Sequence, residues 1–410
     1  MTDDTRPPLQ PRITVLGVGA QGWDGLPERA RRLVLDADAV LGGRRHLAML
    51  PARPGQRREP WPSPLREALP DLLSSLGDGS VVALASGDPF VSGIGTTLVD
   101  LLGAGAVRVE PAVSSVSLAR ARMNWPSEQC TVVSLVGRDP RSVLRHLGPG
   151  RRLLVLSSGP ETPVQVAALL TGAGHPACRM TVLADLGSAA ESRLEGTADT
   201  WCAAPPTDVP ALHVLALETV DAAGYGLFPG LPDDAFEHDG QLTKRDLRVS
   251  ALARLAPSPG EHLWDVGAGA GSVGVEWMRA HPSCTATAVE SGAERAARIG
   301  RNAGMLGVPG LHVVHGRAPQ DLDGLPAPDA VFLGGGATRP GVLDTCLGAL
   351  RPGGRLVVHG VTLETEQLLA GAYREHGGEL TRIAVETTAP VGTFTGWSPA
   401  RTVTQWSLVL

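Results

Sequence analysis

Leu263-Trp-Asp-Val-Gly-Ala-Gly-Ala-Gly-Ser-Val-Gly-Val-Glu276 reads as an apolar strand, a glycine-rich turn and the first turn of a helix. Asp265 stands two residues before Gly267, the first of three alternating glycines completed by Gly269 and Gly271. A chain that must turn tightly and let a ligand reach its backbone needs residues without a Cβ. The helix behind such a turn presents unpaired N–H groups and the positive end of its dipole. Residues 267–271, with Ala268 and Ala270 between the glycines, are therefore expected to cradle a nucleotide-like cofactor.

The sequence on either side fits that reading. Strands are expected at His262–Val266, Thr285–Glu290, Leu311–His315, Asp329–Leu333, Arg355–Val358, Leu380–Val385 and Thr402–Leu410, with helices between the first five. The last two are joined by a loop containing Pro390, Gly392 and Gly396. Five parallel strands closed by an antiparallel pair resemble the Rossmann-like sheet of class I S-adenosylmethionine methyltransferases, whose site lies at the carboxyl ends of the strands. Glu290 closes the second strand 19 residues after Gly271, where an acid can accept from both ribose hydroxyls. Asp265 favours S-adenosylmethionine, because it can meet the amino-acid end of that cofactor. NAD stays open, since Gly269-Ala-Gly-Ser-Val-Gly274 also fits G-x-G-x-x-G. Nothing nearby, however, forms a hydride-transfer site.

With 410 residues, 43% of them hydrophobic and 19% charged, the chain can bury more than one core. A net charge of -6 offers no basic field for nucleic acid. No apolar run reaches the ~20 residues a membrane span needs. The polar start Met1-Thr-Asp-Asp-Thr-Arg-Pro-Pro8 lacks a signal-peptide core. Five dispersed cysteines (130, 178, 202, 284 and 346) point to reduced thiols, and a cytoplasmic protein is expected. No His/Cys spacing suggests a metal site.

The N-terminal half alternates strands and helices. Ile13–Leu16 leads into Gly17-Val-Gly-Ala-Gln-Gly22, which matches a dinucleotide spacing. Trp23–Pro27 delays the helix, however, and Pro27 suits its first position. Beyond the helix Glu28–Asp36 come strand Ala39–Leu41, a turn Gly42–His46, a proline-rich loop from Pro51 to Pro64 and a helix Leu65–Leu76. Strands Val81–Ala85 and Val107–Glu110 each end in a motif: Ser86-Gly-Asp-Pro-Phe90, then Pro111-Ala-Val-Ser-Ser115, where a serine caps a helix. Strands Thr131–Leu135, Leu153–Leu156, Met180–Leu183 and His213–Leu217 follow, with a helix Thr162–Leu170 among them.

Gly17-Val-Gly19, Ser86–Pro89, Pro111–Ser115 and Ser158-Gly-Pro-Glu-Thr-Pro163 together resemble the tetrapyrrole methylase family over most of residues 11–220. That resemblance implies two α/β lobes with S-adenosylmethionine in the cleft between them. It also implies cofactor contacts at Gly17, Gly19, Gly87, Asp88, Ser114 and Ser115. Ala20 stands where some members carry proline.

Residues 221–239 mix Gly, Pro, Asp and aromatic residues without a period and read as a linker. The second domain then spans 240–410, its first helix opened by Thr243 as N-cap and Asp246 at the capping-box position. Lys244 is the single lysine among 36 basic residues. It falls in the first helical turn, where a cation opposes the dipole.

Thr243-Lys244, Asp265–Gly271, Ala288-Val-Glu290, Gly316-Arg-Ala-Pro319, Phe332-Leu-Gly-Gly-Gly336 and Thr362-Leu-Glu364 resemble the decarboxylating precorrin methyltransferases that act at carbon 15. The resemblance implies cofactor contacts at Thr243, Gly267–Gly271, Glu290 and Ala318. Arg317 stands where many of those relatives carry Asp, the residue that would face the adenine amine. Two such halves in one chain imply an enzyme of cobalamin biosynthesis that methylates a precorrin at carbons 5 and 15 and releases CO₂ from the ring C acetate. They imply one S-adenosylmethionine site per domain, and a homo-oligomer.

Methyl transfer from a sulfonium mainly needs alignment. Loss of CO₂ needs the conjugated ring as electron sink and a general acid, for which His238, Asp239, Lys244 and Glu364 are candidates by position. A polycarboxylate substrate calls for cationic clamps, and Arg44, Arg45, Lys244, Arg245 and Arg248 are candidates. A fused methyltransferase for another polycarboxylate and a non-catalytic cofactor-binding assembly protein remain the alternatives.

Overall fold

The computed structural model describes residues 13–77, 79–221 and 223–410, which form two compact units. The first comprises residues up to 138 together with 150–171 and 175–221; the second comprises 139–149, 172–174 and the remainder.

The first unit holds two sheets. In the first lobe β1 (Ile13–Val18), β2 (Ala39–Gly42), β3 (Arg57–Pro60), β4 (Val81–Ser86) and β5 (Val107–Glu110) are all parallel, in the order β3-β2-β4-β1-β5. Val15, Val40, Leu41, Ala83 and Leu84 are almost wholly buried, which is why β1, β2 and β4 read as continuous apolar runs. The second lobe has β6 (Thr131–Ser134), β7 (Arg152–Leu156), β8 (Arg179–Ala184), β9 (Ser192–Thr197) and β10 (His213–Glu218), ordered β6-β7-β10-β8-β9 and mostly antiparallel.

The second unit is built on β11 (His262–Val266), β12 (Thr285–Glu290), β13 (His312–His315), β14 (Ala330–Leu333), β15 (Arg355–Gly360), β16 (Glu379–Ile383), β17 (Glu386–Val391), β18 (Phe394–Pro399) and β19 (Val403–Val409). Seven of these make one sheet, β13-β12-β11-β14-β15-β19-β16. The first five are parallel, and β19 runs antiparallel to both β15 and β16. The expected five-plus-two frame is present, with the carboxyl ends of the parallel strands on one edge. No helix among the described residues is long and apolar enough to cross a membrane.

Several local expectations need correction. Residues 42–46 are not a turn, because a helix Arg44–Ala48 begins directly after β2. The helix expected to start at Pro27 starts at Glu28, with Pro27 in the cap position. The proline-rich loop contains β3. Between β13 and β14 there is only a short 3₁₀ turn, Gln320–Leu322. The loop expected across 386–399 is a hairpin, β17 paired with β18. Gly392 at φ +61° opens its two-residue turn, the role glycine fills in a type II′ connection.

The segment read as a linker belongs to the second unit. Leu231 and Phe236 are buried in its core, and the N–H groups of Gly230 and Leu231 donate to the Glu276 carboxylate. Residues 139–149 belong to it as well: Arg145 is buried, and its guanidinium donates to the Arg279 carbonyl at 3.0 and 2.8 Å.

Candidate functional site

At the carboxyl edge of the seven-stranded sheet, β11 runs into Gly267, Gly269 and Gly271, all left-handed at φ +68°, +60° and +75°. Each meets a different wall. A Cβ would lie 2.7 Å from the Gly335 carbonyl at position 267, 2.8 Å from the Gln241 carbonyl at 269 and 2.6 Å from Ile299 at 271. Gly271 then caps the helix Ser272–Ala280. Glu290, buried at the end of β12, accepts from the Gly269 N–H at 2.9 Å and the Gly292 N–H at 2.8 Å.

Asp265 is buried beneath the turn. One carboxylate oxygen accepts from the Gly274 N–H at 2.9 Å, and the other, Oδ1, has no partner. Burial pushes its pKa up to about 7; the Gly274 hydrogen bond lowers it, and the charge of Glu290 raises it.

The pocket over this turn is lined by Gly267, Gly269, Glu290 and Ala318, as expected, and also by Gln241, Ser291, Arg295, Arg317, Arg339 and Gly334–Gly336. Thr243, Asp265, Ala268, Ala270 and Gly271 lie outside its lining. Asp265, Ala268, Ala270 and Gly271 form the turn or lie beneath it, whereas the Thr243 carbonyl accepts from Arg248. Ala270, for example, is fully buried, and its carbonyl accepts from the Asn302 amide at 2.9 Å.

Arg248 overturns its expected role as a substrate clamp. Its side chain is fully buried, donates to Glu276 at 2.5 Å and to Asp233 at 3.3 Å, and bonds the carbonyls of Thr243 and Leu231. It holds the scaffold and has no free face for a ligand. Thr243 is not the helix cap: the helix runs Arg245–Leu255, Lys244 is the N-cap residue, and Asp233 accepts the Arg245 N–H at 3.0 Å. The Lys244 ammonium lies 3.5 Å from that same Asp233, so an acid twelve residues upstream of Arg245 offsets the unfavourable cation.

Two acid candidates are shifted toward the carboxylate form. Asp239 is held at about 2, chiefly by Arg295 and then by the Gln241 N–H. Glu364 is held below its usual range by its own backbone N–H and then by the Thr362 hydroxyl. Both shifts run against holding a proton. His238 is exposed and accepts from the Gly240 N–H at 3.1 Å.

In the first unit the turns after β1, β4 and β5 meet backbone to backbone. A Cβ on Gly17 would lie 2.1 Å from the Gly87 carbonyl and 2.5 Å from the Ala112 nitrogen. Gly87 itself is left-handed at φ +57°. The cleft between the two lobes has a volume of about 590 Å³ and is lined by Gly19, Gly87 and Ser115 of the expected set. Asp88 and Ser114 lie outside the lining: Asp88 accepts from the Phe90 N–H at 2.9 Å, and Ser114 caps the helix Ser115–Met123 by accepting from the Ser117 N–H at 3.0 Å. Gly17 lines an adjoining cavity of about 500 Å³ that shares Gly19, Ala20, Val113 and Leu118 with the cleft. Of the two arginines expected here, Arg45 reaches the cleft and Arg44 does not. A further cavity, about 520 Å³ around Thr14, Arg29 and Ser80, lies at the other ends of β1 and β4 and holds none of the expected site residues.

Sequence reasoning missed His46, Ser86 and His213, which also line the cleft. The His46 Nε2 lies 3.2 Å from the Ser86 hydroxyl and 3.4 Å from the Arg45 guanidinium. Burial, and secondly the charge of Arg45, push its pKa down to about 4.

The glycine turn, the acid closing β12 and the strand order define the second unit as a class I methyltransferase fold, and the two-lobed first unit carries its own glycine turns at the carboxyl edge of its parallel sheet. Comparison with known proteins agrees. Residues 12–201 match the model of the tetrapyrrole (corrin/porphyrin) methylases, and residues 234–410 that of the precorrin methyltransferase domain. A Sinorhizobium precorrin-6Y C(5,15)-methyltransferase (decarboxylating) is 44% identical over 402 residues, covering 97% of this chain and 96% of that relative. Two Salmonella typhimurium proteins match over part of the chain. One is a cobalt-precorrin-6B C(15)-methyltransferase (decarboxylating), 36% identical over 118 residues, 28% of this chain and 60% of that one. The other is a cobalt-precorrin-7 C(5)-methyltransferase, 33% identical over 171 residues, 35% and 83%. The chain belongs to the decarboxylating precorrin-6Y C(5,15)-methyltransferase family. It is an S-adenosylmethionine-dependent enzyme of cobalamin biosynthesis.

Proposed function

We propose that the first unit methylates carbon 5 of the precorrin, and that the second methylates carbon 15 and releases CO₂ from the ring C acetate, each with its own S-adenosylmethionine site. One observation carries this reading: glycine turns stand at the carboxyl edges of two separate parallel sheets, each beside its own pocket. The names of the two Salmonella relatives put carbon 15 on a 6B compound and carbon 5 on a 7 compound, which supports carbon 15 going first.

The residues of the second pocket fit the methyl donor. A Cβ would fill the turn at Gly267 and Gly269, and the orphaned Asp265 Oδ1 suits a cationic group above it. Glu290 would receive the ribose hydroxyls, and Gly267 and Gly269 would let the cofactor lie against the backbone. S-adenosylmethionine supplies an activated methyl group, so the task left to the protein is to hold donor and carbon in line. In the first unit Gly19, Gly87 and Ser115 take the equivalent part. Titration with S-adenosylhomocysteine tests this: two molecules bound per chain are expected, and one would contradict the proposal.

Arg317 and Arg339 replace Arg248 as carboxylate clamps. Both line the second pocket, and neither guanidinium has an ion-pair partner among the described residues. A carboxylate that departs as CO₂ must lose its counter-charge, so these arginines are assigned to the acid groups that stay on the ring. With each charged hydrogen bond contributing about 1.5 kcal/mol or more, the Arg317→Ala/Arg339→Ala double variant should raise KM for the precorrin about a hundredfold. Its kcat should hardly change. An unaltered KM would remove both residues from the substrate site.

A further inference from the structure

We propose that His46 is the proton acceptor of the carbon-5 half reaction, bridged to the substrate by the Ser86 hydroxyl. The proposal rests on the reading that the first unit serves carbon 5.

Carbon methylation must release a proton. The new C–C bond takes an electron pair from the macrocycle, and the C–S bond breaks with its pair going to sulfur. The macrocycle therefore holds the positive charge until one of its own protons leaves. A base in the cleft receives that proton. The cleft lining contains no Asp, Glu, Lys, Cys or Tyr, and its ionisable groups are Arg45, His46 and His213. Arginine cannot accept a proton. Two histidines are left.

His213 is the poorer choice. Its Nδ1 lies 2.7 Å from the Pro210 carbonyl and donates to it, while its Nε2 is sealed from solvent without a partner. His46 is buried to a similar degree, but its Nε2 has a partner in the cleft. It sits on the helix that starts directly after β2, and its Nε2 reaches Ser86, the last residue of β4 and the neighbour of Gly87. With Nε2 as the unprotonated nitrogen, His46 accepts from the Arg45 guanidinium at 3.4 Å as well as from Ser86, whereas the other tautomer would set two donors against each other at Arg45. Ser86 then donates to the same lone pair, and its own oxygen remains free to take a proton from the substrate as it passes one on.

Arg45 adds a second property. Its charge opposes imidazolium formation, and with burial it keeps His46 neutral through the physiological range. It is the one charged group acting on His46, whether from its own helix, from β2 and β4 or from the facing lobe, among the described residues. A substrate carboxylate seated on Arg45 would cancel that charge and make His46 more basic when the pigment is in place.

The test is His46→Gln in the full chain, incubated with the precorrin and S-adenosylmethionine and read by mass spectrometry. Glutamine can still accept from Ser86 but cannot hold a proton. The carbon-5 methylation rate should fall about 10²–10³-fold, the range of general acid–base catalysis. The pigment should then stop at one methyl gained and one CO₂ lost, with two S-adenosylhomocysteine molecules still bound per chain at unchanged affinity. Two methyls added at a near-normal rate would overturn the role of His46 and leave the division of labour standing. One methyl gained with CO₂ retained would instead overturn the division of labour. Loss of S-adenosylhomocysteine affinity in step with activity would make His46 a structural residue. Should hydrogen exchange in β1 show that His46→Gln loosens the fold, Ser86→Ala decides: a loss of about tenfold or more at carbon 5 supports the bridge, and an unchanged rate overturns it.

Discussion

Arg248→Ala should destabilise the second unit by about 3–5 kcal/mol, the usual cost of leaving one partner of a buried ion pair uncompensated. The physical reason is Glu276. Its side chain is 2% exposed, and Arg248 is the counter-charge bonded to it at 2.5 Å. The same guanidinium also ties down Asp233 and the carbonyls of Leu231 and Thr243, so its loss frees the 231–243 segment from the helix behind it. Hydrogen exchange followed by mass spectrometry should show peptides of the helix Ser272–Ala280 and of β11 exchanging about 10²–10⁴ times faster. Adding Glu276→Gln should recover part of the loss, because the unpaired charge is then gone. Normal exchange combined with a raised KM for the pigment would restore Arg248 to the substrate site.

Gly17→Val should silence the first unit and spare the second. A Cβ at position 17 would lie 2.1 Å from a backbone carbonyl and 2.5 Å from a backbone nitrogen, and backbone has no rotamer through which to yield. The turns after β4 and β5 must separate, and the Ala112 N–H, which donates to the Gly87 carbonyl at 3.2 Å, loses its acceptor. A displacement of about 1 Å at an aligned methyl-transfer site is enough for a rate loss of about a hundredfold or more. The number of S-adenosylhomocysteine molecules bound per chain should fall from two to one. A variant that still binds two would show that Gly17 does not hold the cofactor cleft together.

These two residues also show how far the sequence is legible. β11 and β12 have the boundaries expected from their residues, because each runs into a turn signal, the glycines 267–271 after one and Ser291-Gly292 after the other. Gly267, Gly269 and Glu290 line the second pocket, and a tight turn and a strand-ending acid are features that leave local signatures. Arg248 left no such signature. Its meaning depends on Asp233 and Glu276, which lie 15 and 28 residues away along the chain. Thr243 was overridden in the same way, by an aspartate that reaches back over the helix start. His46 was hidden because Gly42-Gly-Arg-Arg-His46 has the composition of a turn, while the fold continues it as a helix and sets the imidazole against β4. Pro390 and Gly392 disguised the hairpin: the glycine makes its two-residue turn, and the proline sits in a two-stranded ribbon. Local rules thus located the glycine turns, and long-range pairing decided which charged side chains are free of partners inside the scaffold.

The division of labour between the two units is tested most directly by the mass of the pigment released from Gly17→Val after incubation with the precorrin substrate and S-adenosylmethionine. The account predicts one methyl gained and one CO₂ lost, against two methyls and one CO₂ for the unaltered chain. A pigment that gains its single methyl while keeping the ring C acetate would contradict it.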